Sequence, residues 1–93
     1  MTTVNPADPF VAGLQADGFG EIETRSLPAG HSTAEHGHHF SVRAKVLEGA
    51  LTLTVDGLSR RYGPGEVFTM DADRLHAEDI GADGVRYLVG RKY

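Results

Sequence analysis

Hydrophobic and polar residues alternate along most of the chain, and the period of that alternation is two. Between residues 50 and 55, for example, Leu51, Leu53 and Val55 alternate with threonines, as expected for a strand with one buried face. Similar segments predict strands over residues 20–27, 40–47, 50–55, 58–62, 66–70, 75–80 and 85–91, with a histidine-rich strand between the first two. Short strands at this spacing are typical of an all-β antiparallel sandwich or small barrel.

Glycine, proline and aspartate residues lie between these predicted strands. The pair Asp56-Gly57 predicts a tight hairpin, because both residues tolerate a positive φ angle. Glu48-Gly49 predicts a turn between the segments on either side of it, and residues 81–84 predict the last hairpin loop. Residues 71–74 must turn as well, and aspartate is one of the few non-glycine residues that tolerate the left-handed region.

A short helix or an irregular arm precedes the strands. Asp8 is a favourable helix-capping residue, and Pro9 suits the first helical position. Gly18 can then end the helix in the left-handed conformation. We therefore predict an N-terminal arm or short helix over residues 1–18 and one β-barrel domain over residues 19–93, since a chain of 93 residues suffices for a single modest core.

Composition excludes several classes of function. The formal net charge is −4, whereas a nucleic-acid surface needs a basic stripe to neutralise phosphates. Arg60-Arg61 and Arg91-Lys92 are too short for such a stripe and are expected to be solvated. Because the chain has no cysteine, it has no disulfide or thiolate metal site, and any metal must be bound by nitrogen and oxygen ligands.

The sequence also lacks the features that direct a chain into or across a membrane. Its first residues lack the basic start and apolar run of a signal peptide, and no apolar stretch reaches membrane length. We therefore expect a soluble cytoplasmic protein whose partners are small molecules, with no nucleic-acid or membrane partner.

Histidine is concentrated in one segment. Four of the five histidines lie within ten residues, namely His31, His36, His38 and His39, and the fifth is His76. In a regular strand His36 and His38 point to the same face and can present two imidazoles to one ion. Imidazole is the commonest metal ligand near neutral pH, and His76 is the natural third ligand. The alternative is a solvated loop at residues 36–39 and an ordinary half-buried His76.

The other two histidines are expected to lie outside such a site. His39 faces away from its neighbours in a regular strand, so it is a surface residue or a neighbour of the ligands. His31 follows a turn glycine and is expected to be solvated.

The spacing of glycines and histidines resembles that of small single-domain cupins, a jelly-roll β-barrel family defined by two sequence motifs. The residues that match the two motifs are Gly30, His36, His38 and Gly49 in the first, and Gly65 and His76 in the second. The positions that differ are Val42, where the family has glutamate, and Asp71, Asp73 and Ile80, where it has proline, glycine and asparagine. The motifs and their spacer cover residues 30–80.

This resemblance implies an antiparallel jelly-roll barrel with a divalent-metal site inside its mouth, bound by His36, His38 and His76. Valine cannot replace the missing carboxylate ligand at position 42. Three neutral imidazoles leave the ion its full charge and leave coordination positions open, which suits an anionic or enolisable ligand. The ligands do not name the metal, because iron, zinc, nickel, copper and manganese all accept imidazole.

Two functions of different classes follow from the resemblance. Related three-histidine cupins include iron dioxygenases that act on small diketones or thiols, which implies a small-molecule dioxygenase. The alternative is a non-catalytic module that binds a small ligand or a metal. Since small cupins commonly associate and edge strands invite pairing, we also expect a homodimer.

Glu78 is the candidate catalytic residue. Counting by two from His76 along one strand places Glu78 on the face that carries the ligand. There it could be a fourth metal ligand or a general base. The alternative is a bulge after His76 that leaves Glu78 in water, since a single bulge reverses the facing of every later residue.

Overall fold

The computed structural model describes residues 4–93 and contains one helix and six strands over that range. Residues 1–3 of the predicted arm lie outside it. The elements are α1 Pro9–Ala16, β1 Gly20–Leu27, β2 Ser32–His36, β3 Ser41–Val55, β4 Leu58–Tyr62, β5 Val67–Met70 and β6 His76–Lys92. This confirms the predicted all-β fold with a short N-terminal helix. No helix within residues 4–93 is long and apolar enough to cross a membrane.

Helix α1 begins and ends with the predicted capping residues. The side chain of Asp8 accepts a hydrogen bond from the backbone N–H of Phe10 at 2.8 Å, and a proline occupies the first turn. At the other end Gly18 has a φ angle of 86°, and the N–H of Phe19 donates to the carbonyl of Leu14 at 2.8 Å. Such a left-handed glycine cap satisfies carbonyls that the helix leaves unpaired.

The two long strands β3 and β6 pair antiparallel and form the centre of the sheet. The second half of β6 pairs with β1 on its other side, and the first half pairs with β2. In the same way the first half of β3 pairs with β5 and its second half with β4. The two long strands therefore belong to two four-stranded layers at once.

One hydrophobic core joins the two layers. Its buried members are Ala44, Val46, Leu51, Leu53, Phe68, Met70, Ile80, Val85, Tyr87 and Val89. These residues come from both halves of β3 and of β6 and from β5, which means that the sheet folds over on itself and closes around them, as in the predicted jelly-roll barrel. Phe68 and Tyr87 are core residues, and Tyr62 packs against the core.

The predicted turn at Glu48-Gly49 is wrong, because β3 continues through it. The pairing of β3 with β6 changes register on both sides of Gly49, and that glycine has a φ angle of 74°. A glycine at positive φ serves a bulge as well as a tight turn. The glycine does mark a special backbone position, but the chain bends there without reversing.

The predicted hairpin loop at residues 81–84 is also wrong. Ile80 pairs with Leu51 and Val85 pairs with Gly49, so residues 81–84 stand opposite a single residue of β3. They form a wide irregularity within the continuous strand β6. Backbone hydrogen bonds flank and enter it: the N–H of Ile80 donates to the carbonyl of His31 at 2.8 Å, and the N–H of Gly30 donates to the carbonyl of Gly81 at 3.4 Å. Residues 81–84 therefore bend β6 at the place where the sheet closes into a barrel.

Two other predicted turns are confirmed. Asp56 and Gly57 have φ angles of 52° and 77° and connect β3 with β4, which is the geometry of a two-residue hairpin. Asp73, at the position where the cupin motif has glycine, has a φ angle of 62°. An aspartate can adopt this conformation, so the connection between β5 and β6 keeps its turn.

Candidate metal centre

Three histidines from two segments converge at one end of the barrel. His36 is the last residue of β2, His76 is the first residue of β6, and the two are paired in register. His38 follows two residues after His36. Each imidazole contributes one ring nitrogen, and these three nitrogens all lie within 4.8 Å of one another. This is the group of residues that the sequence predicted as the metal site.

His38 reaches the site by a different route from the predicted strand alternation. Strand β2 ends at His36, so His38 is not brought to the site by regular strand alternation. Instead the carbonyl of His38 accepts a hydrogen bond from the N–H of Asp73 at 2.6 Å. That bond ties the segment after β2 to the turn before β6, and it places His38 beside His76.

The backbone orients two of the imidazoles. The Nδ1 atom of His36 lies 2.8 Å from the carbonyl oxygen of Ala34, and the Nδ1 atom of His76 lies 2.9 Å from that of Arg74. A carbonyl only accepts hydrogen bonds, so each Nδ1 carries the proton and donates it. The Nε2 lone pairs are therefore free for an ion, in the arrangement common to histidine ligands in proteins.

His38 is held in its neutral form. Burial is the main cause that lowers its pKa, and the neighbouring His36 and His76 lower it further, while Glu78 opposes the shift. Its ring stacks on Phe40 with centroids 4.9 Å apart and planes 11° apart. A neutral, fixed imidazole is the form that binds a metal.

Glu78 lies on the same face as His76, as predicted. The pairing of β2 with β6 shifts register between Glu78 and His76, but the extra residue lies on β2, so the alternation along β6 is kept and both side chains line one cavity. Its side chain is only 22% exposed, and its Oε1 atom lies 3.8 Å from Nε2 of His76. The structure therefore brings a carboxylate next to the three imidazoles. Its catalytic role stays a prediction.

The remaining histidines lie outside the cluster. The side chain of His39 is 99% exposed, and its Nδ1 atom is 3.4 Å from a carboxylate oxygen of Asp73. His31 is exposed as well. His39 is thus a surface residue, which is one of the two positions that the sequence predicted for it.

A cavity of about 70 Å³ opens beside the cluster. His38, His76 and Glu78 line it, and so does Val42, at the position where the cupin motif has glutamate. The other lining residues are mostly apolar, including Leu53, Phe68, Met70, Tyr87 and Val89. Burial raises the pKa of Tyr87 above its ordinary value.

Two arginines also line this cavity, and sequence reasoning missed both. The sequence predicts that Arg91 is solvated together with Lys92, and it places Arg25 only within the strand over residues 20–27. Arg91 in fact follows Tyr87 and Val89 at a spacing of two along β6, and all three line the cavity. That alternation is visible in the sequence and could have indicated the facing of Arg91. Arg25 is placed there by its pairing with Tyr87.

The donor set fits a divalent transition metal. Three imidazoles converge within 4.8 Å, and in two of them the backbone holds Nδ1 and leaves Nε2 to face an ion. Nitrogen donors of this kind suit zinc, copper, iron and nickel. His76 is 2% exposed, so one ligand is already removed from water.

No protein-family model matches this sequence, and no curated protein matches it either. Solved structures do match. A protein of unknown function from Rhizobium leguminosarum bv. viciae is 21% identical with a TM-score of 0.74, and the match covers 99% of this chain and 96% of that one. A cupin superfamily protein from Desulfitobacterium hafniense is 22% identical with a TM-score of 0.66, over 77% of this chain and 66% of that one.

An enzyme is among the similar structures. The polyketide cyclase RemF from Streptomyces resistomycificus is 24% identical with a TM-score of 0.65, over 77% of this chain and 54% of that one. At these identities the likeness establishes the fold alone. The chain has the cupin jelly-roll fold, with three histidines close enough together to bind a metal ion.

Proposed function

We propose that this protein binds one divalent transition metal ion through His36, His38 and His76 and acts as a dioxygenase on a small anionic or enolisable substrate. The observation that carries the proposal is the convergence of three imidazole nitrogens within 4.8 Å, beside a cavity with an apolar wall. A metal held there would supply Lewis acidity and redox chemistry. The similarity to a cyclase supports an enzymatic role for such a barrel, although that protein carries out a different reaction.

The chain's own residues bind and orient the substrate and handle its proton. Apolar side chains such as Phe68 and Met70 exclude water from the cavity. Glu78 lies 3.8 Å from Nε2 of His76, so a substrate seated beside the histidines is within reach of its carboxylate. We assign to Glu78 the removal of a proton from an enolisable carbon, a task that a positioned carboxylate performs.

Elemental analysis and oxygen uptake test this function together. We expect the untagged protein to bind close to one equivalent of transition metal per chain. The iron-loaded protein is then expected to consume oxygen with at least one member of a panel of small enolisable carbonyl compounds and thiols. Stoichiometric metal with ligand binding but no turnover across the panel would support the alternative, a non-catalytic binding module, and would contradict the dioxygenase.

The substitution Glu78→Gln tests the role of the carboxylate. If Glu78 is the general base, the turnover rate falls by about 100-fold or more, because general acid-base catalysis typically contributes 10²–10⁴-fold, whereas metal content stays near that of the wild type. A large loss of metal affinity would instead identify Glu78 as a fourth ligand. Asp79, the next residue on β6 and exposed, provides the matched control Asp79→Asn. Unchanged activity in both variants would show that Glu78 has no part in the site.

A further inference from the structure

Positive charge is concentrated in the cavity of a protein that is negatively charged as a whole. The formal net charge of the chain is −4, yet the charged residues that line the cavity are Arg25, Arg91 and Glu78. The cavity therefore carries an excess of one positive charge before any metal is bound. Two guanidinium groups beside one cavity repel each other, and water partly screens this repulsion because the side chains of Arg25 and Arg91 are 46% and 30% exposed. A bound anion offsets the repulsion that remains.

Arg91 is held beside the metal cluster and faces no carboxylate across the strand. Its guanidinium carbon lies 4.7 Å from the centre of the Phe40 ring, and that ring stacks on His38. In the pairing of β3 with β6 its direct neighbour is Val42. The nearest carboxylate oxygen, on Glu21, is 4.0 Å from its Nη1 atom, which is too long for a hydrogen bond.

Arg25 approaches the cavity from the neighbouring strand. It stands opposite Tyr87 in the pairing of β1 with β6, and side chains of directly opposed residues are in contact range. The pKa of Tyr87, which burial raises, is lowered again by Arg25 and more weakly by Arg91. Both arginines line the same cavity as Tyr87. The Nε atom of Arg25 is 3.9 Å from a carboxylate oxygen of Glu23, so this pair is loose too.

The size and the apolar wall of the cavity limit the ligand. A volume of about 70 Å³ holds about five to seven water-sized positions at 10–15 Å³ each. Phe68, Met70 and Val42 line it with apolar atoms, and these favour a hydrocarbon group over a second charged group. The ligand therefore has about five to seven non-hydrogen atoms, one for each water-sized position. One end of it is charged and the other is apolar.

We infer that Arg25 and Arg91 bind the carboxylate of a short-chain monocarboxylic acid whose apolar part lies against Phe68 and Met70. Its carboxylate lies over Val42, beside Arg91, where the cupin motif places a glutamate. The ligand thereby supplies the negative charge that the chain lacks at that position. Guanidinium groups suit this task because their paired N–H groups match a carboxylate. The inference rests on the proposed function for the metal, and it names the class of substrate for the same site.

Calorimetric titration of the zinc-loaded protein with butyrate tests this inference, and butyramide is the uncharged probe of the same shape. We expect butyrate to bind at least about ten-fold more tightly than butyramide, because only the charged ligand pairs with the guanidinium groups. In Arg25→Gln and in Arg91→Gln the affinity for butyrate is expected to fall about ten-fold, while the weak binding of butyramide stays the same. Added salt weakens butyrate binding to the wild type.

Arg86→Gln is the matched control. Arg86 lies on β6 like Arg91, but it is not among the residues that line the cavity, and it pairs with Glu48 at 2.8 Å. We expect this variant to bind butyrate like the wild type. Equal loss in all three variants would overturn the inference, because the effect would then reflect the net charge of the protein rather than a site.

Zinc stoichiometry separates failure of this inference from failure of the proposed function. Both arginine variants are expected to bind one zinc ion, as the wild type does. If zinc binds but butyrate binds no tighter than butyramide, or if neither arginine substitution changes the affinity for butyrate, the carboxylate site is refuted and the metal site stands. If the wild type takes up no zinc, the proposed function fails. The same titrations on the metal-free protein then show whether Arg25 and Arg91 bind butyrate without a metal.

Discussion

Replacing His76 by alanine is expected to lower the affinity for zinc by more than about 100-fold. Substitution of residues that merely orient a metal ligand commonly costs 10–100-fold in affinity, and loss of a ligand costs more. His76 is also the most buried of the three, at 2% exposed, and its Nδ1–H group is tied to the carbonyl of Arg74. Competition with a chromogenic chelator measures the change.

The control for this prediction is His39→Ala. His39 belongs to the same histidine-rich segment, but its side chain is 99% exposed and faces Asp73. We expect its affinity for zinc to equal that of the wild type. Zinc at 100 times its Kd should also stabilise the wild type by about 2.7 kcal/mol, and this gain should be lost in His76→Ala alone. Wild-type affinity in His76→Ala would refute the three-histidine site.

The ligands were predictable because two independent constraints agree on them. The spacing of His36 and His38 and the distance to His76 both match the cupin motifs, and the structure brings the three residues together. The physical account from strand alternation was only partly right. Strand β2 ends at His36, and a long-range hydrogen bond from Asp73 to His38 positions the second ligand. Such a bond leaves no periodic signal in a sequence.

The continuity of the two long strands was not predictable from local pattern. Glu48-Gly49 and residues 81–84 carry the residues of tight turns, and a turn and a bulge both use glycine at positive φ. Only the pairing partners distinguish the two. Because β3 and β6 pair with each other on both sides of the irregularity, the chain bends where the sequence suggested that it reverses.

This bend is what assembles the site. Strand β6 contributes His76 and Glu78 before residues 81–84, and it contributes Tyr87 and Arg91 after them, yet all four residues line one cavity. A straight strand spans about 3.3 Å per residue, which would separate its two ends by far more than the width of a small cavity. The bulge therefore joins the metal ligands to the arginines, and its backbone geometry is a requirement of the site.

Gly49→Ala is expected to destabilise the fold by about 4 kcal/mol or more. This loss is close to the total free energy of unfolding of a small domain, which can be as low as about 5 kcal/mol. A Cβ atom at position 49 would overlap the carbonyl oxygen of Gly84 and lie 2.8 Å from its carbonyl carbon. These are backbone atoms of the facing bulge, so no side-chain rotation relieves the overlap. The φ angle of 74° adds about 1–2 kcal/mol of strain for alanine. Urea denaturation followed by circular dichroism measures the loss.

Gly57→Ala separates the overlap from the strain. Gly57 has nearly the same φ angle, 77°, but an added Cβ would meet no atom within 4 Å. This variant should therefore lose only the strain contribution, about 1–2 kcal/mol. The difference between the two variants isolates the close approach of β3 and β6 at the bulge. If Gly49→Ala is no less stable than Gly57→Ala, the two backbones do not meet there, and the bend that brings His76 and Arg91 to one cavity has another origin.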